Sequence, residues 1–325
     1  MAEMTYRTAI AAGIAQEMER DPSVYLIGED VGEPGGVFKA TEGLYERFGP
    51  NRVRDMPISE EAIIGLAMGA AMSGLRPIAE IMFSDFVATC WDMIANQVAK
   101  THYMTDGQIG LPLVIRTANG GGLRFGAQHS QAVENWAMAI PGLKVVAPSN
   151  PVDVIGLTAA AVRDPDPVMF FDSKPLYSLK ADIPDGEVVD ELGVAKVLRK
   201  GTDLTIIALA STVPKAVQAA DILDREYGIS AEVIDPRSLV PLDMTTILGS
   251  VRKTNRMFTV EENPRLLGWG AEIASIVAEE AFFELEDPIV RITTPHIPLP
   301  QADVLEDAAL PSVDRVVETV RKTVG

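Results

Sequence analysis

Short apolar runs alternate with longer stretches of helical character along the first half of the chain. The runs that predict strands lie at residues 24–28, 77–83, 111–117, 143–147 and 168–171. Each is a few residues long and rich in branched or aromatic side chains, which is typical of buried strands. The clearest helix start is Asn150, a capping residue that is followed by Pro151 and by the acid Asp153.

Residues 173–190 interrupt this alternation with Ser, Lys, Pro, Asp and Gly, and we interpret them as a linker. A second series follows, with strands predicted at 204–209, 231–234, 257–261 and 290–293 and helices at 213–227, 244–254, 271–283 and 312–323. Such alternation predicts parallel sheets covered by helices. The sequence therefore predicts an α/β fold with two parallel-sheet domains, residues 1–180 and residues 190–325.

The segment that follows Ser59 predicts a helix that is apolar or small on every face, so we expect it to be buried. Its glycines and alanines permit the close approach of another backbone, such as that of a second subunit. Ser59 is expected to cap this helix, with Glu60 and Glu61 in the first turn. A carboxyl group at the mouth of an apolar helix is also desolvated, which raises its pKa and lets it share a proton with a weak base. The spacing alone favours neither role over the other.

The charge balance narrows the classes of partner. The chain has 28 basic and 46 acidic residues and a net charge of −18. A surface this negative repels phosphate backbones and anionic lipids, so we expect no binding to nucleic acid or to membranes. No apolar run reaches the roughly 18–20 residues of a membrane span, and the N-terminus has the layout of neither a signal peptide nor a transit peptide. We therefore expect a cytoplasmic protein.

The sequence lacks the residue patterns of several common kinds of active site. The three histidines are too scattered for a metal site, and the single cysteine, Cys90, lies among apolar residues, as a core cysteine does. Gly268-Trp269-Gly270 precedes a predicted helix, as in a dinucleotide-binding turn, but Ile273 stands where that motif has its third glycine. A tight turn into a helix is the simpler interpretation.

A glycine-rich loop at residues 120–122 is followed by a polar cluster at 126–131 that surrounds His129. Loop glycines indicate a close approach of the backbone to another group. A buried, hydrogen-bonded histidine is the simpler interpretation of His129. These residues alone leave both interpretations open.

Five runs of sequence resemble, in the same order, the beta subunit of the decarboxylating component of 2-oxo acid dehydrogenase complexes. They are MPISE at 56–60, GLRPIAE at 74–80, KTHYM at 100–104, AQHSQ at 127–131 and PGLKVV at 141–146. The resemblance spans nearly the whole chain, and residues 79–86 and 268–272 lean towards the acetoin dehydrogenase branch. Several separate motifs in one order make this resemblance specific.

The resemblance implies a pyrimidine-type thiamine-diphosphate-binding domain followed by a domain like the C-terminal domain of transketolases. The implied activity is cleavage of pyruvate, a branched-chain 2-oxo acid or acetoin, with transfer of the acyl unit to a lipoyl group of an acyltransferase component. The chain does not decide among these substrates, because the alpha subunit supplies much of the pocket. Two alternatives are a transketolase-like half enzyme, for which no phosphate-binding basic cluster is seen, and a non-catalytic subunit.

The resemblance also implies roles for individual residues. Glu60 matches the glutamate that hydrogen-bonds the cofactor's pyrimidine ring and so activates the thiazolium carbon, and His129 matches the active-site histidine near the reacting carbon. Phe86 matches an aromatic position stacked on the pyrimidine. Other residues that match the lining of this pocket are Glu29, Ile58, Ser59 and Met82.

A structural potassium ion is bound in some relatives, largely through backbone carbonyls. The residues that match this site are Leu113, Ala161, Val162, Asp164 and Asp166. Pro165 departs from the non-proline residue of those relatives.

One motif of thiamine enzymes is absent from the 325 residues, the Gly-Asp-Gly turn that binds the diphosphate through Mg²⁺. In the family the alpha subunit supplies this half of the site, together with its Mg²⁺, in an alpha2-beta2 heterotetramer. The resemblance therefore implies that this chain shares thiamine diphosphate with an alpha partner and leaves the acyl-carrier step to another protein.

Overall fold

The computed structural model describes residues 2–324, and the chain folds into two units. The first contains the chain up to Asn119 together with Trp136–Leu192, and the second contains Gly120–Asn135 together with the chain from Gly193 onward. The excursion at residues 120–135 is absent from the prediction, which places this loop in the first domain. A glycine-rich loop has no hydrophobic periodicity, so its sequence does not indicate which core it joins.

The first unit is an α/β structure. Its strands are β1 (Ala2–Thr5), β2 (Val24–Gly28), β3 (Val53–Asp55), β4 (Arg76–Phe83), β5 (Val114–Asn119), β6 (Lys144–Val146), β7 (Val168–Ser173) and β8 (Lys180–Ile183). Its helices are α1 (Tyr6–Arg20), α2 (Leu44–Phe48), α3 (Glu60–Met72), α4 (Thr101–Met104), α5 (Glu134–Met138), where the chain returns to this unit, and α6 (Pro151–Arg163). Short 3-10 and π-helical turns connect β4 to α4.

The strands of the main sheet in this unit lie in the order β6-β7-β5-β4-β2-β3, and each neighbouring pair is parallel. Every residue of β2, β5 and β7 is buried, as expected for strands covered on both faces. The strands predicted in this half of the chain are therefore confirmed, with small shifts at their ends.

Helices α1 and α6 pack together over this sheet. A Cβ atom at Gly13 would lie 3.1 Å from the Cα atom of Ile155, so a small residue is needed where the two helices meet. The predicted start of α6 is confirmed, because the side chain of Asn150 accepts a hydrogen bond from the Asp153 amide at 3.0 Å. Within the predicted linker, β8 pairs antiparallel with β1, an element that the sequence analysis missed.

The second unit contains a five-stranded sheet in the order β14-β13-β10-β11-β9. The strands of this sheet are β9 (Lys196–Arg199), β10 (Leu204–Ala208), β11 (Ala231–Asp235), β13 (Met257–Pro264) and β14 (Val290–Thr294), and a further short strand of the unit, β12 (Ser238–Val240), lies outside the sheet. Its helices are α7 (Thr212–Tyr227), α8 (Met244–Thr254), α9 (Trp269–Glu280), α10 (Asp303–Ala309) and α11 (Val313–Val324). The predicted parallel sheet is confirmed for β14, β13, β10 and β11, and β9, which was not predicted, lies antiparallel to β11 at one edge.

The core of the second unit lies between its sheet and helices α7 and α11. The predicted end of α7 is confirmed, since Gly228 adopts the left-handed conformation, φ 67°, that ends a helix readily without a Cβ atom. None of the helices described for residues 2–324 is long and apolar enough to cross a membrane.

Candidate functional site

Three neighbouring strands of the first unit end at the same edge of its sheet. Strand β2 lies between β3 and β4, and the chain crosses from β3 to the opposite side of β2 to form β4. In open parallel sheets, ligands bind outside the carboxyl ends of the strands at such a reversal of strand order. Glu29 follows β2, Glu60 follows β3 and Phe86 follows β4, so residues distant in sequence are carried to this one edge.

Glu29 is 7% exposed, and its Oε1 atom has no hydrogen-bond partner in the described part of the chain. Burial raises the pKa of this carboxyl group, and the negative charges of Glu60, Asp30 and Glu80 raise it further. The backbone amide of Ser59 donates a hydrogen bond to this carboxylate, which lowers the pKa of Glu29. Glu29, Ser59 and Glu60 are therefore neighbours, and this corner of the unit carries an excess of negative charge.

Helix α3 begins beside Glu29. Ser59 occupies its N-cap position, but the Ser59 side chain makes no cap hydrogen bond within the structure as described, so this part of the prediction is wrong. The partly buried Glu60 and the exposed Glu61 form the first turn, where the helix dipole favours acids. Ile58, immediately before the helix, is 85% exposed.

The two faces of α3 differ, although the prediction has the helix buried on every side. Its inner face is formed by Ile63, Ile64, Ala67 and Ala71. On the outer face Leu66 is 53% exposed and Met72 is 46% exposed, and a Cβ atom at Gly69 would meet nothing within 4 Å. The helix that begins at Glu60 therefore has an open, apolar outer face.

Met82 and Phe86 lie at the end of β4 and in the turn that follows. Both side chains are partly buried, and the ring of Phe86 meets that of Phe83 edge-on at a centroid distance of 5.5 Å. Cys90 ends this turn and is buried, which confirms it as a core residue. Burial and the charge of Glu60 raise the pKa of the Cys90 thiol to about 12, so this sulfur is not a nucleophile near neutral pH.

A buried ionic network lies behind this edge and was missed in the sequence analysis. Arg116 on β5 donates to the carboxylates of Glu80 and of Asp172, and its distance to Asp172 is 2.8 Å. Asp172 also accepts the hydroxyl of Tyr177 at 2.5 Å. Burial raises the pKa of Glu80, while the charge of Arg116 lowers it. One arginine thus balances two buried acids, and a charged residue within an otherwise apolar strand is the signal that reveals them.

His129 belongs to the second unit and is partly buried. The loop that leads to it contains Gly120, Gly122 and Gly126, each with a positive φ, which explains the choice of glycine there. Gly120 donates its amide to the carbonyl of Gln131 at 3.0 Å, so the ends of this loop are joined.

The turn at Gly268 and Gly270 is filled by a carboxylate of the protein itself. Glu261, fully buried, accepts the amide of Gly270 at 2.9 Å and forms an ion pair with Arg291 at 2.8 Å. A Cβ atom at Gly270 would lie 2.2 Å from a Glu261 oxygen. The start of α9 is therefore unable to receive the phosphates of a dinucleotide, which supports its interpretation as a tight turn.

The residues matched to a potassium site already make hydrogen bonds through their backbone. The carbonyl of Leu113 accepts the Val168 amide at 2.9 Å. Arg76 donates to the carbonyl of Val162 at 2.7 Å and to that of Asp164 at 3.3 Å. A second group of polar contacts joins the side chains, Lys144 with Asp164 at 2.6 Å and His102 with Asp166 at 2.7 Å. A positive charge from the protein thus lies beside two of these carbonyls, and Ala161 is buried next to them.

Comparison with known proteins accounts for both units. Residues 2–180 match the model of the transketolase pyrimidine-binding domain, and residues 193–316 match that of the transketolase C-terminal domain. A solved structure described as "Split gene transketolase, inactive beta4 tetramer" has a TM-score of 0.81 and 25% identity, and covers 98% of this chain and 97% of that one.

Three curated relatives extend along almost the whole chain. The chain is 46% identical to pyruvate dehydrogenase E1 component subunit beta-2 of Oryza sativa subsp. japonica, covering 98% of this chain and 86% of the relative. It is 45% identical to the acetoin:2,6-dichlorophenolindophenol oxidoreductase subunit beta of Bacillus subtilis, covering 98% and 96%. It is 46% identical to pyruvate dehydrogenase E1 component subunit beta of Rickettsia conorii, covering 98% of each.

Family models match both units, and the relatives are 45–46% identical over nearly the full length. The chain belongs to the family of pyruvate and acetoin dehydrogenase beta subunits, built from a transketolase pyrimidine-binding domain and a transketolase C-terminal domain.

Proposed function

We propose that this chain is the beta subunit of a thiamine-diphosphate-dependent enzyme that cleaves pyruvate, a branched-chain 2-oxo acid or acetoin and passes the acyl unit to a lipoyl group. The observation that carries the proposal is the placement of Glu60 beside the buried Glu29 at the carboxyl ends of β2 and β3. Relatives of both the pyruvate and the acetoin type, at 45–46% identity, support it.

The residues at this edge fit the pyrimidine end of the cofactor. The carboxylates of Glu29, Glu60 and Glu80 attract hydrogen-bond donors, and one oxygen of Glu29 lacks a partner within residues 2–324. Phe86 and Met82 offer partly buried surface to an aromatic ring. The same negative charge repels a diphosphate. The electrostatics therefore suit one end of the cofactor and leave the other to a partner.

When bound, thiamine diphosphate supplies a nucleophilic carbon and an electron sink for cleavage of the bond beside the substrate carbonyl. Glu60 shares a proton with the pyrimidine ring nitrogen in this proposal. Glu29 lies beside Glu60 and accepts a hydrogen bond from the backbone amide of Ser59, and Phe86 orients the ring. Ile58 lines the entrance, where its side chain is exposed.

His129 handles a different proton. During acyl transfer a carbon–sulfur bond forms, the sulfur–sulfur bond of the lipoyl ring breaks, and the departing sulfur leaves as a thiolate. In this proposal His129 donates a proton to this thiolate, because the departing sulfur needs a proton donor. The glycine-rich loop then serves to carry this one side chain.

Assembly of the chain with its alpha partner and assay of four substrate classes test the proposed function. We expect turnover of pyruvate, acetoin or a branched-chain 2-oxo acid, with an artificial electron acceptor and with a free lipoyl domain. Turnover of sugar phosphates instead would support the second candidate, a transketolase-like half enzyme, which the 25% identical solved structure favours. Activity on none of these would favour a non-catalytic subunit.

The isolated chain is expected to bind thiamine diphosphate weakly and to gain affinity only with an alpha partner. The reason is the absent Gly-Asp-Gly turn, without which the diphosphate and its Mg²⁺ lack ligands. The solved split-gene transketolase is described as an inactive tetramer of its beta chain, which agrees with this expectation. Titration calorimetry with Mg²⁺ present measures the affinity. Micromolar binding by the chain alone would contradict the prediction.

The outer face of α3 is proposed to contact the alpha subunit in an alpha2-beta2 heterotetramer. Leu66 is 53% exposed there, beside the open surface at Gly69. Leu66→Glu is expected to weaken assembly by ~30-fold or more, since burying an unpaired charge at the centre of an interface costs about 2 kcal/mol or more. Leu198→Glu on β9, where Leu198 is 41% exposed, is the matched control. Sedimentation of the mixed subunits measures assembly, and equal effects of both changes would refute this assignment.

Other parts of the proposal rest on the resemblance. These are the potassium ion at residues 113, 161, 162, 164 and 166, the Mg²⁺ held by the alpha subunit, the lipoyl acyltransferase as a further partner, the cytoplasmic location and the domain limits 1–180 and 190–325. At the potassium position an ion would share the carbonyls of Val162 and Asp164 with Arg76. A carbonyl oxygen has two lone pairs, so such sharing is chemically permitted.

A further inference from the structure

The first half of the loop that carries His129 is hydrogen-bonded to two carboxylates of the second unit. Glu306, on α10, is fully buried and accepts the amide of Gly122 at 3.0 Å and that of Arg124 at 3.2 Å. Glu262, at the end of β13, accepts the amide of Gly121. The amides of Gly121, Gly122 and Arg124 thus donate to two acids far along the chain, the buried Glu306 and the partly buried Glu262.

Glu306 and Glu262 together form a clamp on the loop, and the side chain of Arg124 adds a charged contact to this clamp. Its guanidinium donates to Glu306 and, at 2.7 Å, to Asp307, and it lies 3.0 Å from Asp303. Asp303 and Asp307 are mostly exposed, with side-chain exposures of 79% and 67%, whereas Glu306 is not exposed at all. Charge-assisted hydrogen bonds are strongest where water is excluded, so Glu306 dominates this group.

Gly120 and Gly121 are in close contact with side chains of the second unit. A Cβ atom at Gly120 would lie 2.7 Å from a Glu262 oxygen, and one at Gly121 would lie 2.8 Å from the Leu299 side chain. The glycine-rich sequence is therefore explained in part by close contact with the clamp, and not by a ligand alone. Glu262 is fixed in turn by the hydroxyl of Ser211.

We propose that Glu306, together with Glu262, is a positioning residue for His129. The hydrogen bonds to Glu306 and Glu262 fix residues 121–124. The hydrogen bond from Gly120 to the carbonyl of Gln131 joins this fixed segment to the far end of the loop, next to His129. Glu306 acts through the loop and donates no proton itself. This inference rests on the proposed function, in which His129 protonates the lipoyl thiolate.

The first test is Glu306→Gln in the assembled enzyme. The amide keeps one acceptor oxygen but turns an NH₂ group towards loop donors, so at least one of them loses its partner. We expect acyl transfer to a free lipoyl domain to fall by ~10- to 100-fold in kcat with little change in KM, because a misplacement of about 1 Å costs on the order of 10²-fold. Cleavage assayed with an artificial acceptor should fall far less. Asp307→Asn is the matched control, since it removes the exposed acid from the same guanidinium.

A double-mutant cycle separates positioning from a general structural role. In the His129→Ala background, Glu306→Gln should cause little further loss of acyl transfer, because the loop no longer carries the group that it positions. The same fold loss in both backgrounds would overturn the proposal. Glu262→Gln should give the same pattern, and it serves as the decisive variant if Glu306→Gln lowers the melting temperature enough to prevent assembly.

Hydrogen exchange of the isolated chain gives a readout that does not depend on activity. Amides of residues 120–131 should exchange faster in Glu306→Gln than in the unchanged chain or in Asp307→Asn, and unchanged exchange would overturn the proposal. The two proposals fail in different ways. An assembled enzyme that turns over none of the expected substrates removes the proposed function, whereas an active enzyme in which Glu306→Gln behaves as unchanged removes only this inference.

Discussion

Replacement of Glu60 by Gln is expected to lower turnover of the assembled enzyme by ~10²- to 10⁴-fold, the usual range for loss of a general acid–base group. Glutamine preserves the size of the side chain and part of its hydrogen bonding but is unable to share a proton. Glu60 lies in the first turn of α3 and is only partly buried, so the fold should tolerate the change. The loss should therefore appear in turnover and not in the melting temperature.

Hydrogen–deuterium exchange at the thiazolium carbon of the bound cofactor measures this step directly. It should slow by a similar factor in Glu60→Gln. Glu61→Gln is the matched control, because Glu61 lies in the same helical turn but is exposed. Exchange at the unchanged rate in Glu60→Gln would transfer the role to Glu61 or to the buried Glu29.

Replacement of His129 by Ala is expected to damage acyl transfer to the lipoyl group more than cleavage of the substrate. A departing thiolate needs a proton, and loss of its donor should cost ~10²-fold or more. Decarboxylation releases carbon dioxide and demands less of an external acid. Parallel assays with a free lipoyl domain and with an artificial electron acceptor measure the two steps in one preparation.

The outcomes of the His129→Ala assays have distinct meanings. Equal losses in both assays would make His129 a substrate-binding residue. No loss in either would leave it as a packed loop histidine, the simpler interpretation of the sequence. His102→Ala is a useful control, because His102 is also partly exposed but lies on α4, paired with Asp166.

The sequence predicted the regular elements well where local chemistry is decisive. Asn150 before Pro151 begins α6 as expected, and Gly228 ends α7. Both cases depend on the side chain or backbone freedom of a single residue, which the sequence states directly. The buried strands β2, β5 and β7 were equally clear, because continuous apolar runs of this length form covered strands.

The candidate site was predicted from its motifs, but the ion pairs and hydrogen bonds around it were not. Arg116 and Glu80 lie on different strands and meet only through the sheet register, so no local pattern joins them. Glu306 meets Gly122 across a long stretch of sequence for the same reason. Ser59 occupies the expected N-cap position of α3, but its side chain makes no cap hydrogen bond within residues 2–324. Such contacts depend on tertiary packing, which overrides local propensity.

The path of the chain, which leaves the first unit after Asn119 and returns at Trp136, has a consequence for protein engineering. A chimaera that exchanges residues 1–180 with those of a relative would import a foreign His129 loop onto native Glu262 and Glu306. Three junctions, after residues 119, 135 and 192, keep the loop with the acids that it evolved beside. Modules of this family are thus better defined by shared hydrogen bonds than by continuous sequence. Junctions for recombination should therefore be chosen so that these hydrogen bonds stay within one parent.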